Sequence, residues 1–432
     1  MSPGPTTPKI ASVEHLPIPT QVLDIMHTLR ERGYEAYVVG GAIRDFFLGR
    51  ETGNWDLATD CPLDEIMTIF PRVVPTGIRH FTATVLTDGM KVEVSTYRDN
   101  DILKDLARRD FTVNAMAYDP ISGRFLDPHG GIGDLKERLI RGVADPIARF
   151  REDPLRVLRG VRFVSELDFE LEPSTKEALF MESKGLGRVA RERIRDELHR
   201  IISSERPSKG LPLIKEASIA EVIIGPCAVE IQRDGFLLAG RAMEALDRET
   251  TSRWACVCVA LGLMGGKSAT TPRWGPFLDQ AEGFLLGLKM SKRQVHSITR
   301  SINALSILCE SHWSDAGMRK AVHQCGGRNT EEALLVAFAL TRAHKGFPPW
   351  LVPPRDALYR LREIRRHTGD GATLRPVLNG GEIAEHLGIK PGPRVGEVIE
   401  EILKAIYEDP SINTRENLMR ILDIKKEKNH RL

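Results

Sequence analysis

The sequence predicts an α+β protein: a small N-terminal head on a mixed or antiparallel sheet, followed by all-α domains to the end of the chain. Three observations carry this. Between Tyr34 and about Ile140, short apolar runs (AYVV, TATVL, KVEVST, FTVNAMAY) alternate with turn signals such as Asp88-Gly89. Beyond Asp145 strand signals nearly vanish, and DPLRVLRGVRFVSEL, RIRDELHRII and GEVIEEILKAIYE place apolar residues three and four apart. The length of 432 residues, 41% of them hydrophobic, suffices for several packed domains.

Residues 1–17, rich in Pro, Ser and Thr, read as a disordered tail. Val22, Ile25, Met26 and Leu29 then fall at helical spacing and Gly33 ends that helix. The head is placed at 18–142, a helical neck at 143–208, a helical body at 209–350 and a helical tail at 351–432. Breaks are expected at GLPL (210–213), GGKSATTPRWGP (265–276) and FPPWLVPPRD (347–356).

The opening MSPGPTTPK has no charged-then-apolar run, and no stretch of eighteen apolar residues occurs, so a cytoplasmic location and no membrane partner are expected. The six cysteines (Cys61, Cys227, Cys256, Cys258, Cys309, Cys325) match no structural zinc spacing and read as reduced thiols. A net charge of +2 means that nucleic acid, if bound, must meet a local basic stripe.

Chemistry first surfaces in YVVGGAIRDFFLGRETGNWDLATD, Tyr37 to Asp60. A strand ends in Gly40-Gly41 and a short helix carrying Arg44 and Asp45 follows. Paired glycines let backbone approach a phosphate chain, and a guanidinium one turn on adds a charged donor; a plain turn explains the glycines equally. In Asn54-Trp55-Asp56, residues two apart on a strand face the same way and can share an ion. Glu93 in KVEVSTYR, with Val92 and Val94 facing the other way, is a third acid for that face, or a solvated glutamate. Two divalent ions about 3.5–4 Å apart, held by such oxygens, are what phosphoryl transfer needs.

Seven ordered segments, VVGGAIRDFFLG, NWDLAT, GIRHFTATV, VEVSTYR, LARRDFTVNAMAY, DPHGGIGDLKERLIR and EDPLRVLRGVRF, resemble the motifs of the bacterial class II CCA-adding enzyme and poly(A) polymerase family. The likeness is close over Tyr34–Leu198, and the tail GGEIAEHLGIKPGPRVGEVIEEILKAIYEDPSINTRENL resembles that of CCA-adding members. It implies a nucleotidyltransferase head whose Gly40, Gly41 and Arg44 meet the triphosphate, with Asn54, Asp56 and Glu93 as catalytic metal ligands for a two-ion Mg²⁺ site. It further implies that Arg109 touches the nucleotide, that Asp110 and Asn114 support the sugar or the sheet, and that Asp153 and Arg156 read the base edge with Arg159 and Arg162 on the same helical wall. Acceptor and donors one turn apart can read cytosine or adenine without a template, although EDPLR alone also fits a plain i,i+3 ion pair. Arg193 and Glu197 fit a further motif propping that helix, or simply pair with each other.

The partners so implied are tRNA, CTP and ATP, with no DNA. Helical basic clusters at Lys289, Lys292, Arg293 and Arg300, and at Lys425, Lys426, Lys428 and Arg431, are the expected RNA phosphate contacts, or solvated faces. Two departures from the family stand out. Members carry an aspartate where this chain has Asn54, which removes a negative charge beside the ions. Only DNDILKDLA separates Arg98 from Arg108, in place of the longer loop associated with accepting ATP. The resemblance therefore points to tRNA 3′-end synthesis leaning toward CMP addition. Alternatives are a poly(A) polymerase, against which the GIRHFTATV segment around His80 speaks, and an RNA-binding relative disabled at Asn54.

Overall fold

Val22, Ile25, Met26 and Leu29 are the buried residues of α1 (Thr20–Glu31), the face their spacing announces. The protein is described by a computed structural model covering residues 16–77, 81–97, 101–225, 233–248, 250–265, 274–344, 349–369 and 374–429. Most of the expected N-terminal tail, Cys227, His80, most of the expected break at 265–276, and Arg431 lie outside these residues. The chain divides into two units, Met1–Val189 with Ala217–Val222, and Ala190–Glu216 with Ile223–Leu432.

The first unit holds a seven-stranded mixed sheet in the order β3-β4-β5-β2-β1-β6-β7. Its strands are β1 (Ala36–Val39), β2 (Trp55–Thr59), β3 (Val73–Gly77), β4 (Thr82–Thr87), β5 (Met90–Thr96), β6 (Ala117–Asp119) and β7 (Arg124–Leu126). All pairings are antiparallel except β2 with β5. The runs AYVV, TATVL and KVEVST are strands as expected; of FTVNAMAY only the end lies in a strand and Phe111 makes an isolated bridge to Gly142, because Thr112–Asn114 close into a 3₁₀ turn. Helices α2 (Gly41–Phe47), α3 (Leu63–Ile69), α4 (Ile102–Ala107) and α5 (Gly131–Glu137) flank the sheet in sequence. Tyr37, Val39, Ala58 and Ala117 form a buried cluster with Ile102 and Leu106 of α4, so that helix covers one sheet face. The unit ends in α6 (Pro146–Glu152), α7 (Leu155–Leu167) and α8 (Pro173–Glu182), tied by a two-stranded parallel ribbon of β8 (Leu139–Ile140) with β9 (Glu170–Leu171).

The second unit is helical: α9 (Arg191–Ser203), α10 (Pro207–Glu216), then, after α11 (Ile219–Ile223), α12 (Arg233–Met243), α13 (Thr250–Gly265), α14 (Trp274–Gly287), α15 (Lys292–Glu310), α16 (Asp315–Cys325), α17 (Gly327–Ala343), α18 (Ala357–Thr368), α19 (Gly380–Leu387), α20 (Pro393–Glu408) and α21 (Arg415–Asn429). The break expected at GLPL is absent: α10 runs through Pro212, and the boundary drawn at 208/209 falls inside it. Leu211, Leu213 and Ile214 are buried, and that burial outweighs the cost of an internal proline. Arg253, 3% exposed, donates to the carbonyls of Ile202, Ser204, Leu246 and Asp247 at 2.7–3.0 Å, closing helix ends that lack intrahelical partners. Residues 374–422 have a core of their own, with Leu374, Ile383, Ile406, Leu418 and Leu422 fully buried. Burial raises the thiols of Cys61, Cys256 and Cys258 to about 12, as suits inert core cysteines.

Candidate active site

Strand β1 gives way to α2 at Gly40, whose φ of +73° is a conformation that side chains rarely adopt. A Cβ there would stand 3.3 Å from Arg109 Nη1 and 3.5 Å from Asp56 Oδ2. A strand end, a carboxylate and a guanidinium thus meet at a position shaped for glycine. At Gly41 the nearest atoms to such a Cβ are those of the Arg44 guanidinium, at 3.4 Å.

The register fixes the acids. Val39 pairs with Asp56, Asp56 with Glu93, and Glu93 with Thr84, across four adjacent strands. Directly opposed residues project to the same face, so Asp56 and Glu93 stand side by side while Val92 and Val94 are buried on the other. Burial pushes the Asp56 carboxyl above its usual range, against the pull of Arg109, Arg44 and Arg159. Desolvation and then the Asp56 charge raise Glu93. A carboxylate whose charge is disfavoured by the carboxylate beside it, as Glu93 is by Asp56, is the arrangement a divalent cation relieves.

Asn54 is exposed one residue before β2 begins. Among the described residues no three of His, Cys, Asp and Glu gather as a metal cluster. Asn54 is outside the strand on which it was expected to share a face with Asp56, and the donors that the register brings together are the carboxylates of Asp56 and Glu93, both hard oxygens. That set fits Mg²⁺, which takes few protein ligands and keeps part of its water.

Arg109 gives Nε and Nη2 to Asp105 at 3.2 and 3.1 Å. Asp105 escaped the sequence reading; its i,i+4 spacing from Arg109 was the available signal. Arg44 donates Nε to Asp45 at 2.9 Å and Nη1 to Asn114 at 2.7 Å. Asn114 donates to Asp110 at 3.2 Å, and Arg159 donates Nε to Asp110 at 2.7 Å. Asp110 and Asn114, implied to support sugar or sheet, thus form a polar chain from Arg159 on α7 to Arg44 on α2. Burial alone would raise the Asp110 carboxyl, but Arg159, Asn114 and the Phe111 N–H together hold it at about 2.

Two expectations for α7 change. Asp153 and Arg156 do not share one helix: α6 stops at Glu152, α7 starts at Leu155, and Asp153 is extended at φ −136°, ψ 98°. Pro154 is the cause, since the residue before proline is forced out of helical geometry. Asp153 accepts from the Leu155 N–H at 3.2 Å, and Arg156 donates to the Arg108 carbonyl at 2.9 Å and to Glu152 at 3.2 Å. Arg162, 2% exposed, lies 3.5 Å from Glu166 and packs over Phe163, so it belongs to the layer beneath the wall that Arg159 lines.

In the second unit Lys289, Lys292 and Arg293 are exposed around the start of α15. Arg300 instead turns to the Gln324 carbonyl of α16 at 2.8 Å, Lys425 pairs with Glu401, and Lys426 reaches the His386 carbonyl at 2.9 Å. The side chain of Lys428 lies outside the described residues. On α9, Glu197 is buried and Arg193 exposed.

A mixed sheet with paired acids at one register, a glycine-ended first strand and converging arginines defines a nucleotidyltransferase head. Residues 36–141 match the poly A polymerase head domain, and residues 168–229 match the probable RNA and SrmB-binding site of polymerase A. The CCA-adding enzyme of Geobacillus stearothermophilus is 30% identical over 92% of this chain and 95% of its own length. That of Geobacillus thermodenitrificans is 31% identical over the same shares. The crystal structure of the Bacillus stearothermophilus CCA-adding enzyme in complex with CTP superposes with a TM-score of 0.74 at 29% identity, covering 95% of this chain and 98% of that one. The chain belongs to the CCA-adding enzyme family.

Proposed function

We propose that this protein extends the 3′ end of tRNA without a template, transferring CMP from CTP with release of pyrophosphate, and that it adds AMP weakly or not at all. The observation that carries the transfer chemistry is the side-by-side placement of Asp56 and Glu93, bordered by Gly40, Arg109 and Arg44. Asp56, Glu93 and Asn54 would hold divalent metal, Mg²⁺ by their oxygen chemistry, which when bound activates the 3′-hydroxyl and offsets charge on the departing pyrophosphate. Arg44 and Arg109 neutralise phosphate charge beside the carboxylates. Asp153, Arg156 and Arg159 present an acceptor and donors to the base edge, and Lys289, Lys292 and Arg293 meet RNA phosphates. A cytoplasmic setting belongs to this reading; among the described residues no helix is long and apolar enough to cross a membrane.

The restriction to CMP rests on the connection between β5, which ends at Thr96, and α4, which begins at Ile102. It leaves little chain with which to rebuild the pocket for a purine. The test is incubation with Mg²⁺, a tRNA transcript ending at the discriminator base, and each labelled nucleotide in turn. Two added C residues without A are expected. A complete CCA end overturns the restriction, and long A tails on unrelated RNA overturn the tRNA assignment. Absence of any addition, unrelieved by Asn54→Asp, overturns the enzyme reading in favour of RNA binding.

A further inference from the structure

Phe163 on α7 is 2% exposed, yet three guanidinium groups surround its ring. The Cζ atoms of Arg162, Arg44 and Arg159 lie 4.2, 5.4 and 5.7 Å from the ring centroid. The ring stands edge-on to Phe111, 5.6 Å between centroids at 81°, which fixes its tilt. Each arginine also meets a carboxylate: Arg44 with Asp45, Arg159 with Asp110, Arg162 with Glu166. Like charges gathered at this spacing repel, and the negative face of an aromatic ring is the apolar surface that attracts them. Arg44 and Arg159 are joined a second time through Asp110 and Asn114. The ring and the polar chain therefore close a loop linking α2 to α7.

We propose that Phe163 is a positioning residue for the nucleotide: its ring holds Arg44 and Arg159 in fixed relation, so that the phosphate site and the base-selecting helix act as one body. This rests on the nucleotidyltransferase reading. Leucine would fill much of the same volume but has no quadrupole, so Phe163→Leu separates packing from cation attraction. Because Arg44 serves phosphate and Arg159 serves the base, removing the ring weakens two properties at once.

The experiment uses the full chain and two probes, inorganic tripolyphosphate and CTP, titrated by calorimetry, with UTP as the competitor base. In Phe163→Leu the Kd for tripolyphosphate is expected to rise about tenfold, and the CTP-over-UTP preference to fall by a similar factor. Phe163→Tyr, which keeps the ring face, is expected to restore both. Loss of thermal stability in Phe163→Leu with both binding properties unchanged overturns the proposal and leaves packing alone. Should Phe163→Leu not fold, Phe163→Met is held to the same two outcomes. A wild-type chain that binds neither CTP nor tripolyphosphate overturns the functional reading itself, a result distinct from a wild type that binds both and a variant that does not differ.

Discussion

Asp110 stays ionised in the interior because Arg159, Asn114 and the Phe111 N–H outweigh its desolvation, holding its carboxyl at about 2 against an ordinary 3.8. The folded pKa is depressed, so the unfolded chain binds more protons between these values. The stabilisation is complete above about pH 4 and fades as pH falls toward 2. Asp110→Asn should cost roughly 2 kcal/mol at pH 7, and the gap between wild type and variant should narrow in denaturant titrations taken down to pH 2. Asn54 sets the opposite experiment. On the proposed metal site, Asn54→Asp adds a negative charge one residue before β2, so Mg²⁺ affinity measured by calorimetry should rise about tenfold or more, with the apparent carboxylate pKa values shifting upward in the metal-free protein. That Asp56 and Glu93 share a sheet face was legible in the sequence, because strand alternation reports which face a residue takes. It did not reveal the Asp110–Arg159 pair or the burial of Arg162, because periodicity reports a side and says nothing of which polar group a buried cation reaches.

At the scale of elements, the junction between α6 and α7 is the informative departure. Apolar spacing runs evenly through DPLRVLRGVRF and suggests one helix, whereas Pro154 forces Asp153 to extend and starts α7 afresh. Its effect was legible in principle, since proline's constraint on the preceding residue is local. The helical α10 across GLPL shows the reverse, a proline overruled by burial on both sides. Pro154→Ala lifts the constraint on Asp153 and allows α6 and α7 to join. Thermal stability should stay within a few degrees of wild type or rise slightly, while CTP-over-UTP preference falls about three- to tenfold because Asp153 leaves its present position. Parallel calorimetric titrations with the two nucleotides check this, and unchanged preference would remove Asp153 from base selection.

For the whole molecule, the two units predict separable failures. The 374–422 core is drawn entirely from its own segment, with Leu418 fully buried. Leu418→Ala should cost about 2–5 kcal/mol there and loosen α19–α21 in hydrogen exchange, leaving CTP affinity in the head unchanged. RNA binding divides the basic residues by the same logic. Lys292 and Arg293 are exposed at the start of α15, whereas Arg300 is tied to the Gln324 carbonyl and Lys425 to Glu401. A phosphate contact releases counterions, and each one adds about 0.7 to 0.9 to the slope of log affinity against log salt. The double variant Lys292→Ala with Arg293→Ala should therefore lower the slope for tRNA by about 1.4 to 1.8. Arg300→Ala should leave the slope near its wild-type value and lower the melting temperature instead, because it removes a helix-end hydrogen bond. Equal slope losses from both variants would mean that Arg300 releases the Gln324 carbonyl when RNA arrives, and that its contact to α16 is an alternative to phosphate.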